Sequence, residues 1–520
     1  MLSPLPRDYN AASDLMERNL TRSRGDKIAI YDDAGAHTYA ELGDRVDRFA
    51  AALGSLGIEM EQRIVLALLD TIDFPTAFLG AIKAGVVPIP VSTMLTPADY
   101  AYVLQDSRAR ALIVSQALWP HFKSLVQDHA FLRHVIVAGN DADGHLLLCD
   151  LLEKASPRLH PAPTTPDDVC FWLYSSGSTG APKGTVHLHS HLIRTAELYA
   201  LPVLGIEEND VVFSAAKLFF AYGLGNSLTF PMAVGASTVL MSERSTPASV
   251  SRVLRAHNPT IFCGVPTLYG ALLASPDSPS RNELRVRRCV SAGESLPPEI
   301  ARRWKERMGV EILDGIGSTE MLHIFLSNRP EDVRYGTTGT PVLGYEVRLL
   351  NEDGDPVKPG EIGEMQVSGP TSAVGYWNNR EKSATTFIGP WTRSGDRFLR
   401  NDDGYFVYCG RSDDMLKVGG IFVSPIEVEA ALISHSSVLE AAVIGHSDAD
   451  DMVKPKAYVV LKPGYAASPE LAESLKLHVK RQLAPYKFPR WIAFVADLPK
   501  TPTGKIQRFK LRAQDASGAI

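Results

Sequence analysis

Cysteine is scarce in this chain, and the cysteines present show no pairing pattern. Cys149, Cys170, Cys263, Cys289 and Cys409 are odd in number and widely scattered over 520 residues. That excludes a disulfide framework or a zinc-ligand spacing, and predicts five reduced thiols that serve as small buried apolar residues in a cytoplasmic protein. Long apolar runs are also missing, so no membrane-spanning helix of ~20 residues is expected. The opening "MLSPLPRDYNAASDL" has no basic stretch followed by an apolar one, so no secretory leader is expected either. Blocks of like charge are absent and the net charge is −6, which argues against a nucleic-acid partner. Nothing in the sequence speaks to oligomeric state.

What is present is ordinary for a globular enzyme: 45% hydrophobic and 22% charged residues. The length suggests about two to four domains. Over the first 150 residues, helical spacing in "SDLMERNL", "AELGDRVDRFAAALGSLG" and "FPTAFLGAIKAG" alternates with short apolar runs such as "RIVLALL" and "RALIVS". A second round runs from "DVCFWLYSS" to about residue 330. Both predict α/β subdomains. From about 335 to 410, "YEVRLL", "GEMQVSG" and "GYFVYCG" alternate between Gly, Asp and Pro turns, which predicts a small β subdomain. Residues 1–410 thus form a large N-terminal domain, 411–413 a hinge, and 414–520 a small mobile α+β domain. In that last part, "VSPIEVEAALISH" predicts a helix with a capping box at Ser424 and Glu427 and with Pro425 in its first turn.

The stretch "YSSGSTGAPKGT", Tyr174 to Thr185, gathers glycines, hydroxyls and one lysine. Glycines allow tight turns and close approach, and the hydroxyls and Lys183 suit a polyphosphate. Pro182 precedes Lys183 and Gly184 follows it, so the Walker pattern is not met; a hairpin-like loop fits better. A plain surface turn is the competing reading. "VHLHSHL" sets His187, His189 and His191 at period two, as on a strand. No carboxylate or cysteine spacing accompanies them, so packing behind the loop is favoured over a metal site.

Five motifs make the loop more specific: "YSSGSTGAPKGT", "DGIGSTEM", "SGD", "GRSDDMLKVGG" and "PKTPTGKIQR". In that order and spacing the chain resembles the acyl-adenylate-forming enzymes. "SAAKLFFAYGLGNSLTFPM" and "GIGSTEMLHIFLSN" are similar to the benzoate–CoA ligase group within that family. The resemblance implies ATP-dependent, AMP-forming ligation of a small aromatic acid to coenzyme A, with magnesium on the phosphates. Hydroxybenzoates, halobenzoates, cyclohexanecarboxylate or loading of a separate carrier protein are the alternatives.

The same resemblance implies the site. Ser175, Ser176, Gly177, Ser178, Thr179, Gly180 and Lys183 wrap the phosphates, Thr319 bonds a phosphate oxygen, and Glu320 holds the metal. Asp396 and Arg411 take the ribose. Gly293, Glu294, Asp314, Gly315, Ile316, Gly317 and Ser318 frame the nucleotide, with Ile316 standing where many relatives carry an aromatic ring. Phe220, Ala221, Tyr222, Gly293, Ile316 and His323 line the acid pocket, while Phe219 is read equally well as core. Lys505 serves adenylation; after rotation at Asp413, Lys417 and the pair Gly419 and Gly420 serve the adenylate and the pantetheine arm. Most relatives carry Ser-Gly where this chain has the two glycines. A lysine acetyltransferase acting on Lys505 is an expected regulator, since acetylation removes its charge.

Overall fold

The computed structural model describes the chain apart from residues 1, 128, 159, 178–179, 413, 419–420, 449–451, 485, 501–505 and 518–520. Two sheets account for the alternation in the first part. The strands Val87–Pro90, Arg63–Ala67, Ala111–Ser115, His134–Ala138 and Leu146–Leu147 form a five-stranded parallel sheet in that order. Ala111–Ser115 is buried at every residue, as a strand covered on both faces must be. The predicted crossover is the helix Asp73–Lys83, buried from Phe74 through Ile82.

The second sheet has nine strands. Its parallel centre is Ile312–Gly317, Arg288–Ser291, Ile261–Gly264, Val211–Ser214 and Ser237–Val239. One edge comes from far upstream: Ile28–Asp32 runs parallel to Ser237–Val239, and Gly35–Thr38 closes it as a hairpin. The first 150 residues therefore do not keep their strands to one sheet. Side chains fasten this edge: Tyr39 Oη donates to the Ala236 carbonyl at 2.6 Å and Lys27 Nζ to the Gly235 carbonyl at 2.5 Å.

Val169–Gly177, Gly180–Leu188 and Gly375–Tyr376 form a small antiparallel sheet. The predicted β segments then build a five-stranded sheet, in which Trp391–Arg400 pairs with Phe406–Arg411. Beyond it, Val438–Ser447 pairs with Val453–Leu461, which pairs with Trp491–Phe494. The helices Pro425–Ile433 and Pro469–Gln482 pack there around Val428, Leu432, Val443, Val459 and Leu475. No helix among the described residues is long and apolar enough to cross a membrane.

Two expectations need correction. Cys149 is exposed, whereas the other four cysteines are buried. It lies on the short helix Leu148–Lys154, which buries Leu148 and Leu152, and a residue one step round from that stripe faces water. At Ser424 only half of the capping box forms. Ser424 Oγ accepts from Glu427 N at 3.2 Å, but the Glu427 carboxylate takes Lys487 Nζ at 2.6 Å instead of reaching back.

The last helix, Arg508–Ala516, is tied down along its length. Arg508 makes a forked contact with the buried Glu429, closest at 2.7 Å, and Arg512 Nη1 donates to Asp414 Oδ1 at 2.7 Å. At its far end Asp515 accepts from Tyr458 Oη at 2.7 Å and pairs with Lys456 and with His446 at 2.5 Å.

Candidate active site

The glycine-rich loop is a hairpin: Tyr174 faces Gly184, Ser175 faces Lys183 and Gly177 faces Gly180. Gly184 is a close approach, because a Cβ there would lie 3.3 Å from Tyr174 Cζ and 3.4 Å from Trp377 Cβ. Tyr174 Oη donates to Asp106 Oδ2 at 2.6 Å and braces the base of the hairpin. Ser178 and Thr179 lie outside the described residues, and Ser176, Gly177 and Gly180 are described only by their backbone.

The hairpin base meets Glu320. Ser175 Oγ donates to Glu320 Oε1 at 3.5 Å, and Tyr376 Oη donates to the same oxygen at 2.8 Å. Lys183 Nζ sits 4.7 Å from the centre of the Tyr376 ring. Tyr376 pairs with Thr185, so Tyr376, Thr185 and Lys183 share one face of the sheet. Partial burial lowers the Lys183 pKa, Glu320 opposes that shift, and Lys382 and Arg411 add to it. A cationic amine, a carboxylate and hydroxyl donors thus converge at the base of the hairpin, which is a chemistry suited to phosphate oxygens and a hard cation.

Asp396 and Arg411 are cross-strand partners, with Arg411 Nη1 donating to Asp396 Oδ1 at 3.2 Å. Gly395, just before Asp396, adopts φ +73°, and a Cβ there would lie 3.0 Å from Arg411 Nη2. Asp314 ends the pairing of its strand with Arg288–Ser291 and is buried, with Oδ1 making no hydrogen bond. Burial raises its pKa well above the usual carboxylate range. Gly293, at φ +95°, and Glu294 follow Arg288–Ser291, while Gly315, Ile316, Gly317 and Ser318 follow Asp314. Gly293, Glu294 and Ser318 lie past the carboxyl ends of their strands, and Gly315 to Gly317 lie where the parallel pairing has ended, the end at which open α/β sheets bind ligands.

The acid pocket residues stand at the same end. Phe220 caps the short helix Ala221–Leu224. Tyr222 Oη donates to the Val290 carbonyl at 3.2 Å and to the Gly264 carbonyl at 3.3 Å, which turns its polar tip toward the strand ends. His323 packs between Tyr222 at 5.8 Å, Tyr199 at 5.3 Å and Phe230 at 4.5 Å. Both its ring nitrogens lack hydrogen bonds, and burial pushes its pKa down to about 3, so the ring is neutral. A Cβ on Gly225 would come within 2.5 Å of His323 Cδ2, so that glycine admits the ring. Phe219 is buried and stacks at a tilt on Phe220 at 4.6 Å, as part of the core.

Lys505, Asp413, Gly419 and Gly420 lie outside the described residues, and for Lys417 only the backbone, in the strand Leu416–Val418, is described. The period-two reading of the histidines is corrected: the strand ends at Leu188 and a helix starts at His189, so the three rings do not share a strand face. Tyr376 was not foreseen. Its hydroxyl reaches Glu320 directly across the fold, and the only local signal is "GYWN", an aromatic beside a turn.

The chain matches the family model "AMP-binding enzyme" over residues 16–377 and "AMP-binding enzyme C-terminal domain" over 427–505. It is 62% identical to the "Benzoate--CoA ligase" of Thauera aromatica, covering 98% of this chain and 97% of that protein. It is 50% identical to the "4-hydroxybenzoate--CoA/benzoate--CoA ligase" of Rhodopseudomonas palustris, covering 98% and 95%. Among solved structures it is similar to a benzoate CoA ligase from Burkholderia xenovorans, with TM-score 0.92, 55% identity and coverage of 97% and 100%. The anthranilate CoA ligase AuaEII in complex with anthranoyl-AMP gives TM-score 0.95 at 43% identity, covering 99% of both chains.

Proposed function

The chain belongs to the AMP-binding enzyme family, and from that premise we propose that it is an AMP-forming benzoate–CoA ligase. The 62% identity across nearly the whole length carries this reading. A cluster of aromatic rings, Tyr199, Tyr222 and Phe230 around the neutral His323, beside the strand ends, supports it. Activity toward 4-hydroxybenzoate is the second reading, favoured by the Rhodopseudomonas palustris relative.

In the first step a benzoate oxygen bonds to the α-phosphorus of ATP and pyrophosphate leaves with the electron pair of the broken P–O bond. In the second, the coenzyme A sulfur bonds to the acyl carbon, the thiol proton is released and AMP leaves. The first step joins two anions, so cationic groups must be placed in advance. Lys183 and the Ser175–Thr179 loop hold the β- and γ-phosphates, and Thr319 bonds a phosphate oxygen. Asp396, backed by Arg411, accepts from the ribose hydroxyls. The adenine amine meets Asp314 Oδ1, which is buried without a donor. Magnesium fits a site with one protein carboxylate, since it keeps waters and substrate phosphates as its other ligands; Glu320 would hold it, and it would neutralise phosphate charge.

Lys505 bridges the carboxylate and the α-phosphate, then leaves as residues 414–520 turn about 411–413 and bring Lys417 to the adenylate and Gly419 and Gly420 to the pantetheine path. A cytoplasmic location and silencing by Lys505 acetylation complete the proposal. The test compares Lys505→Ala with wild type. Pyrophosphate release with benzoate should fall by about a hundredfold or more, while thioester formation from supplied benzoyl-adenylate should stay near wild type. Equal losses in both half-reactions would overturn the role of Lys505. A wild-type enzyme inert toward benzoate would overturn the function.

A further inference from the structure

The histidines of "VHLHSHL" are buried, and the chemistry above makes no use of them. The His187 ring stacks on Phe171 at 5.2 Å and 20°. Its Nε2 lies 2.8 Å from the Thr319 carbonyl oxygen, and its Nδ1 lies 3.0 Å from His191 Nδ1. A carbonyl only accepts, so Nε2 carries the hydrogen. Burial holds His187 down to about 4 and His191 well below its usual value, so both rings are neutral. A neutral ring protonated at Nε2 has a bare Nδ1, which faces His191 Nδ1 at 3.0 Å; Leu188 N donates to that same His191 nitrogen at 3.4 Å. His191 thus abuts the His187 ring, their centres 5.3 Å apart, and is itself held by the backbone at the end of the hairpin strand.

The carbonyl they address belongs to a strained turn. Thr319 O also accepts Leu322 N at 3.2 Å, and Ser318 Oγ accepts Met321 N at 3.1 Å. Leu322, buried, is held at φ +66°, in the left-handed region that leucine rarely enters. Such a conformation persists only where its surroundings over-determine it. Thr319 and Glu320 lie inside this turn with Met321, and the strand that ends next to His187 also carries Lys183.

We propose that His187, oriented by His191, is a positioning residue for adenylation: by donating to the Thr319 carbonyl it holds the 318–322 turn so that Thr319 and Glu320 face the phosphates. The inference rests on the roles given to those two residues above. His187 touches no substrate itself; it ties the phosphate hairpin to the carboxylate turn.

Full-length His187→Phe, His187→Gln and His191→Leu enzymes are assayed for pyrophosphate release from ATP and benzoate, and for thioester formation from supplied benzoyl-adenylate and coenzyme A. Glutamine can donate to the same carbonyl; phenylalanine cannot. The Phe variant should lose about 10- to 100-fold in the first assay, as small misplacements of catalytic groups do. The Gln variant should stay within about threefold of wild type, the Leu variant should fall between them, and the second assay should be unaffected in all three. If the Phe variant does not fold, His187→Met replaces it, since methionine also lacks a donor. Wild-type pyrophosphate release in the Phe or Met variant, an equal loss in the Gln variant, or a parallel loss of thioester formation would overturn the proposal. An unchanged His191→Leu enzyme would overturn the role of His191. If the wild type itself releases no pyrophosphate with benzoate, the proposed function falls, and this inference with it.

Discussion

Glu320 is held by a phenol. Tyr376→Phe deletes the hydroxyl that donates to Glu320 Oε1 at 2.8 Å and leaves the ring under Lys183. The kcat/KM for ATP in pyrophosphate release should fall by about tenfold, with thioester formation from benzoyl-adenylate unchanged; steady-state kinetics of both half-reactions check this. Among the five cysteines only Cys149 is exposed, so a thiol reagent should titrate one thiol in the native protein and five after denaturation. Lys183, Glu320 and Asp396 could be singled out in the sequence because each sits inside a motif that carries the family resemblance, and their proposed roles come from that resemblance. Tyr376 was not legible, because its link to Glu320 exists only once Gly375–Tyr376 has paired with Gly180–Leu188. His187 was seen but read as simple packing, since its partner, a backbone carbonyl, leaves no trace in residue identity.

Elements with local causes were the legible ones. The helix Tyr39–Ser55 carries its own start, a capping box between Thr38 and Glu41, and ends just before Gly57 at φ +69°. The hairpin at Ile28–Thr38 is a different case, because its partner strand is chosen some two hundred residues away and no local pattern encodes it. Glycines report the same division. A Cβ on Gly223 would lie 2.0 Å from the Lys217 carbonyl oxygen, so Gly223→Ala should destabilise by about 3 kcal/mol or more. Gly54 has open space, so Gly54→Ala should stabilise by about 0.5–1 kcal/mol. Urea denaturation of both variants tests the pair. The helix Arg508–Ala516 gives a pH prediction. Its partners hold the Asp515 carboxyl down at about 2. A depressed carboxylate stabilises the fold above its unfolded pKa of about 4, and that contribution is lost as pH falls through the folded value. Asp515→Asn should therefore cost on the order of 1–2 kcal/mol at pH 7, and the difference should vanish near pH 2, as read from unfolding curves across that range.

At the scale of the molecule, the proposed two-step chemistry needs residues 414–520 to present different faces to one site. Asp413→Pro should keep the fold, seen by circular dichroism, and retain at most one half-reaction; survival of both would remove the hinge from position 413. Asp414 is bonded to Arg512, and Arg508 to Glu429, so the residue next to the proposed pivot is fastened to the helix that follows 501–505. Torque applied at the pivot reaches that helix through ion pairs as well as through the intervening chain, like a crank keyed to its shaft. On the proposed function, the helix Arg508–Ala516 and Asp414 turn as one piece when Lys505 is delivered. Its delivery then has one rate to measure, the rate at which the body turns.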